Sequence, residues 1–288
     1  MRDLNYQLKQ LCHRNRDGSY ATQAKRMHHL MQIADQLYDL GFRGMQPRSL
    51  KQKHVEALVK EWLRQELAAG TIKNRMAVLR WWAEKADRRG AVAKSNAYYG
   101  IPDRQFVTNT SKARTVTAQQ LDRISDPHVR MSLELQRAFG LRREEAIKFI
   151  PSFADRSDHI TLKPTWTKGG KARDVPVRTD AQREVLKRAH QLAGRGSLIP
   201  QDRNYVQQLR VYERQTANAG LSKLHGLRHA YAQARYEELT GWKAPAAGGP
   251  VAKGLSPGQK VMDRQARRIV SRELGHIREQ ITSVYLSR

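Results

Sequence analysis

The chain has 288 residues, 53 Lys and Arg against 27 Asp and Glu, and a formal net charge of +26. With 39% hydrophobic residues it can build real cores, which excludes a disordered basic tail. A mean hydropathy of -0.74, no apolar run near about 18 residues, a polar N-terminus and a lone cysteine, Cys12, argue against a membrane span, a secretory signal and a disulfide framework.

The charge is not a tail. About 20 basic and about 10 acidic residues precede position 110, and about 33 and about 17 follow it. An excess this large repels itself unless a polyanion is the usual partner, which points to nucleic acid. No strongly apolar helix face accompanies the charge, so a membrane surface is disfavoured.

The first hundred residues read as a helical unit. A short helix over 4–11 precedes one over 20–40, whose face carries Ala24, Met27, Leu30, Met31, Ala34, Leu37 and Leu40. Ser49 is the expected N-cap of the next, with Val55, Leu58, Trp62 and Leu63 inward and a stop at Gly70. Thr71 is the expected cap of another, with Ile72, Met76, Leu79, Trp82 and Ala86 inward, and Lys73, Arg75 and Arg80 among its outward cations. The stretch 96–116 loses the helical period and is rich in turn formers; it reads as a basic linker that includes Lys112 and Arg114. After it come a short helix capped by Thr117 and a helix over 129–139. Two strand-like runs, 159–162 and 174–177, flank a turn at Lys168-Gly169-Gly170-Lys171. Helices are expected over 180–193, 205–217, 224–239 and 258–274, with a Gly-, Pro- and Ala-rich insertion near 240–258. The expected fold is mainly α with a small antiparallel sheet, in two domains, 1–95 and 117–288.

Several chemistries find no support. His225 and His229 stand at i, i+4, but Gly226 occupies the place where a zincin carries its glutamate. His28 and His29 are adjacent and point to different sides of a helix. Neither nucleotide-binding glycine motif occurs. Four short strings remain: Gly140-Leu141-Arg142-Arg143-Glu144-Glu145-Ala146; Lys168 to Val177, with Lys171 and Arg173 inside it; His225-Gly226-Leu227-Arg228-His229; and Leu274-Gly275-His276 with Tyr285 nine residues on. Each alone has an ordinary explanation as a solvated cation, a surface turn or a packing residue.

In this order the strings resemble the tyrosine recombinase (phage integrase) family, over about residues 117–288. The N-terminal part is similar to the family's helical core-binding domain only in being helical and basic. The resemblance implies Arg142 and Arg228 as phosphate-binding arginines, Glu145 as the buttress of Arg142, and Lys168 as the hairpin lysine, with Lys171 as its alternative. It implies His225 and His276 as the two histidines and Tyr285 as the nucleophile. It further implies a site-specific recombinase that forms a covalent 3′-phosphotyrosine and needs neither a cofactor nor a metal. Elementary chemistry agrees: a phenol with a free pKa of about 10 needs neighbouring cations or a base, and arginine forks suit phosphate oxygens.

The partners so implied are double-stranded DNA, further copies of the chain as a tetramer on two paired sites (a monomer when free), and DNA-bending accessory proteins. Lys73, Arg75, Arg80, Lys112, Arg114, Lys171 and Arg173 are the expected DNA-contacting cations. A mobile element and a cytoplasmic, nucleoid-associated setting follow from the same resemblance. The alternatives are a catalytically silent DNA-binding protein of this fold and a type IB topoisomerase-like enzyme. Two departures stand out. The 240–258 insertion lengthens the gap between Arg228 and His276, and Tyr285 lies three residues before the end of the sequence, where many members continue into a helix that docks on the next protomer.

Overall fold

The computed structural model describes residues 2–276 and 278–288. Two compact units make up the chain, one ending at Gln105 and the other beginning at Phe106.

The first unit is built on four helices, α1 (Asp3–Arg14), α2 (Tyr20–Asp39), α3 (Gln52–Arg64) and α4 (Ala69–Lys85). Leu8, Leu30, Ile33, Leu37, Val55, Leu58, Trp62, Ile72, Met76, Leu79 and Trp82 are fully buried, so the apolar faces meet in one core. Both buried indoles find acceptors: Trp62 donates to Gln36 Oε1 (2.9 Å) and Trp82 to the Pro47 carbonyl (3.1 Å). Two expected caps are displaced. Ser49 closes a short 3-10 turn, and α3 begins three residues later. Glu66 takes a left-handed backbone (φ +53°), and the Leu67 N–H returns to the Trp62 carbonyl (3.1 Å), ending α3 early. Gly70 and Thr71 therefore fall inside α4. The expected linker is tethered at both ends, since Tyr99 and Ile101 are buried in the first core and Val116 in the second unit.

The second unit contains α5 (Ala118–Asp122), α6 (Pro127–Phe139), α7 (Arg143–Ile147) and α8 (Pro151–Ala154). A two-stranded antiparallel sheet follows, β1 (His159–Leu162) and β2 (Arg173–Pro176), with Ile160 opposite Val175 and Leu162 opposite Arg173. The remaining helices are α9 (Asp180–Ala193), α10 (Tyr205–Asn218), α11 (Gly226–Thr240), α12 (Pro257–Glu273) and α13 (Ser283–Leu286). Strand alternation turns Arg173 and Val175 inward and Asp174 outward, where it accepts the Thr161 hydroxyl (2.7 Å). One core includes Phe139, Leu141, Ile160, Val175, Tyr231, Val270, Leu274 and Leu286.

The Gly-, Pro- and Ala-rich stretch is folded down rather than loose. Ala244, Ala246 and Leu255 are buried, and Trp242 Nε1 donates to Tyr236 Oη (3.2 Å). Ser256 then caps α12 by accepting the Gln259 N–H (3.3 Å). Among the described residues no helix is long and apolar enough to cross a membrane.

Candidate active site

Tyr285 is the centre of a cluster drawn from the third and fourth strings. It lies on α13 and is only 5% exposed, with Leu286 beside it fully buried. Its hydroxyl stands 3.3 Å from His225 Nε2. Its ring meets His229 at 4.4 Å and stacks on His276 at 5.3 Å between centroids. Residues four apart share one face of a helix, and α11 uses this three times: His225 at its N-cap, then His229, then Gln233, whose Nε2 donates to the Tyr285 carbonyl (3.0 Å). One stripe of α11 thus cradles the tyrosine through its ring, hydroxyl and backbone.

Arg228 is fully buried on the same helix and donates to the Gly140 and Leu274 carbonyls, joining the first, third and fourth strings. Among the described residues its Nε has no partner, nor do His229 Nδ1 and His276 Nδ1. Burial, then the charges of Arg142 and Arg173, lower Arg228 to about 10, which leaves it charged at neutral pH. Arg142 occupies the N-cap of α7 and donates through Nη1 to Glu145 Oε1 (2.8 Å), while its backbone N–H reaches Oε2 (2.7 Å). Glu145 has no exposed surface. Burial would raise its pKa, but hydrogen bonds and charge from Arg173, with Arg228 and Arg142 nearby, hold it at about 2.

The three histidines around Tyr285 are all shifted toward the neutral form. Burial, then the arginines Arg228, Arg142 and Arg173, push His276 down to about 3. Burial, then His225 and Lys112, push His229 to about 4, and His225 is lowered by part-burial, Arg228 and Arg142. A neutral imidazole beside the phenol can accept its proton, which an imidazolium cannot. Among the described residues no group of three or more His, Cys, Asp and Glu is placed to hold a metal.

Lys168 and Lys171 are exposed on the turn between β1 and β2, and Lys168 is near enough to depress His225 electrostatically. Lys112 and Arg114 are exposed on the segment that runs over the start of α11, where the Arg114 N–H donates to the Gly226 carbonyl (3.0 Å).

Two family profiles match the sequence, "Phage integrase, N-terminal" over residues 1–92 and "Integrase" over residues 104–234. The chain belongs to the tyrosine recombinase (phage integrase) family. The second profile takes in Arg142, Lys168, His225 and Arg228, while His276 and Tyr285 lie beyond it. Among curated proteins, none matches the recombinase significantly. Solved structures show the same fold at low identity. A lambda integrase fragment (75–356), a dimer bound to a COC′ core site, aligns with TM-score 0.62 and 16% identity over 99% of this chain and 96% of that one. XerH recombinase bound to palindromic difH gives 0.60 and 15% over 98% and 80%. The Tn1549 transposon integrase (aa 82–397) with circular intermediate DNA gives 0.56 and 15% over 100% and 96%. The mainly helical, two-unit architecture with a small antiparallel sheet is that of the family, and the recombinase is a tyrosine-type site-specific enzyme.

The remaining expected DNA contacts fare unevenly. Arg173 requires a correction: it is not a surface cation but a buried one, 9% exposed and clamped on Glu145. In the first unit, Lys73 pairs with Asp103 (2.5 Å), and Arg75 packs over the Trp62 ring. Arg80 donates to the Ala93 carbonyl and Asn96 Oδ1. The sequence reading also passed over His229 as half of a rejected metal pair; its i+4 spacing from His225 was the signal that both line one site.

Proposed function

We propose that this recombinase cuts and rejoins duplex DNA through a covalent 3′-phosphotyrosine on Tyr285. His225 Nε2 takes the phenolic proton as Tyr285 Oη attacks the scissile phosphorus. Arg142, Arg228 and His276 hold the non-bridging oxygens, whose charge rises in the transition state. The P–O5′ bond breaks as Lys168, on its exposed turn, protonates the departing oxygen, leaving a free 5′-hydroxyl. Attack by a 5′-hydroxyl of the partner strand reverses the steps and releases the tyrosine. Because the phosphotyrosine conserves the bond energy, no nucleotide is consumed.

The observation that carries this reading is the position of the Tyr285 hydroxyl, 3.3 Å from His225 Nε2, with the buried Arg228 guanidinium beside the ring. Double-stranded DNA is the substrate, held by both units, and four copies of the chain pair two sites. The relatives in DNA complexes, among them a lambda integrase tetramer on a Holliday junction (TM-score 0.60, 17% identity), support that assembly. Integration or excision of a mobile element is the biological task, and the Tn1549 integrase is the relative that supports it.

The test is a nicked duplex carrying the attachment site recovered from DNA junctions made in cells. Wild-type protein should accumulate a covalent adduct that Tyr285→Phe does not form. Arg142→Ala should bind the same duplex within a few-fold of wild type yet cleave it on the order of 10²-fold or more slowly. Absence of any adduct with wild-type protein on that duplex refutes the mechanism.

A further inference from the structure

We propose that Arg173 is a positioning residue for strand cleavage, one that sets both phosphate-binding arginines through groups neither of which touches the DNA. This rests on the assignment of Arg142 and Arg228 to the scissile phosphate.

Arg173 Nη1 and Nη2 form a parallel fork on Glu145 Oε1 and Oε2 (2.8 and 2.7 Å). The same two oxygens receive Arg142 through its Nη1 and its backbone N–H. Glu145 therefore holds Arg142 at one edge while Arg173 occupies the other. Arg173 Nε meanwhile donates to the Glu273 carbonyl (2.9 Å), one residue before Leu274, whose carbonyl takes Arg228. A Cβ on Gly275 would come within 2.7 Å of Arg173 Cδ, so the turn leading to His276 lies flat on this side chain. From strand β2, Arg173 thus touches the supports of Arg142, Arg228 and His276 and none of the reacting atoms.

The electrostatics give the arrangement a purpose. A buried carboxylate facing Arg142 alone would draw that guanidinium into a fork of its own and turn it from the phosphate. Arg173 takes the fork first, so that Arg142 keeps a single side-chain bond to Glu145, and among the described residues most of its donors remain free.

Arg173→Lys keeps the charge but loses the fork. On the nicked attachment-site duplex, its single-turnover cleavage should fall on the order of 10²-fold, with DNA affinity changed less than about twofold. A methylphosphonate at the scissile position removes the charge that Arg142 serves. There, the Arg173→Lys defect should shrink to a few-fold, as should that of Arg142→Ala. A second variant pair guards against misfolding: Arg173→Met in a Glu145→Gln background removes both members of the buried Arg173–Glu145 ion pair, and should cleave no more slowly than Glu145→Gln alone. In the DNA-free protein, the ¹⁵N resonance of Arg142 Nε should move in Arg173→Lys.

Wild-type cleavage by Arg173→Lys, an equal defect on charged and neutral phosphates, additive losses in the pair, or an unmoved Arg142 resonance would each overturn the positioning role. Failure of the phosphate assignment looks different: wild-type protein then forms no adduct, while the Arg142 resonance still reports on Arg173.

Discussion

Two guanidiniums, Arg142 and Arg173, share the Glu145 carboxylate, and a third, Arg228, lies near it with no exposed surface. Such a site carries excess positive charge where a phosphodiester would cancel it, and the unpaired Arg228 Nε and His276 Nδ1 are polar groups of the kind that an anion satisfies. The rings beside Tyr285 carry the opposite logic, since His276 and His229 are held neutral at about 3 and about 4. Both values lie below the ordinary imidazole value of 6.5, so unfolding takes up protons between that figure and the folded values. The stability these rings contribute is complete above about pH 6.5 and drains as the pH falls toward 4 and then 3. His276→Gln should therefore melt with a flatter pH dependence between 6.5 and 4 than wild type in calorimetry; an unchanged acid limb would mean that the ring titrates normally. Glu145, held at about 2 against an ordinary 4.5, acts in a lower window, with its stabilisation present above 4.5 and lost as the pH falls through 2. Glu145→Ala leaves two guanidiniums without their partner and should cost about 3–5 kcal/mol by chemical denaturation, against near-zero for an exposed carboxylate such as Glu237. At this scale Arg142, His225 and Tyr285 were legible because each stands in a short string at a fixed spacing. Arg173 was hidden among 53 cations, and only its two-residue offset from the apolar Val175 betrayed a buried side chain.

The elements explain why those strings contain glycine. The segment ending at Arg114 crosses the first turn of α11 so closely that a Cβ on Gly226 would collide with Arg114 Cγ and come within 2.7 Å of the Lys112 carbonyl. The residue that rules out a zincin is thus set by backbone packing, and the crossing holds Lys112 near His229. Gly226→Ala should lose about 1–3 kcal/mol by overpacking and should speed protease cutting within 106–116, while the α10 region stays protected. Equal protection in both proteins would show that the crossing is not what anchors the segment. Helix faces were readable from the sequence because burial follows the 3.6-residue period, as in Leu30, Ile33, Ala34 and Leu37. Helix starts were not, because Ser49 and Thr71 are both good caps in isolation and the left-handed turn at Glu66 decided the boundary. The insertion was read as a loop from its composition, yet small side chains such as Ala244 and Ala246 are what let its backbone pack down beside α13.

For the molecule as a whole, the net charge of +26 and the chemistry are nearly separate properties. The reaction as proposed engages Arg142, Lys168 and Arg228 out of 53 basic side chains, and Arg173 is spent inside the protein. Cations that meet DNA phosphates gain their binding free energy from counterion release, which makes affinity fall linearly in log salt with a slope of about -0.9 per phosphate neutralised. About 20 of the basic residues belong to the first unit, which has its own core of helices and its own buried tryptophans. Residues 106–288 likewise enclose their own cores and the whole tyrosine cluster. The second unit alone should therefore stay folded with an intact site, bind duplex DNA with a shallower salt slope than the full chain by several units, and lose most of its affinity near physiological salt. Arg142→Ala in the full chain should change the slope by about one and the cleavage rate far more. The two measurements make a cross: truncation should act on binding and its salt dependence, and the point substitution on chemistry. A truncated protein that kept the full slope would place the DNA-binding charge almost entirely in the second unit, and the basic helices α1 to α4 would then need a different partner.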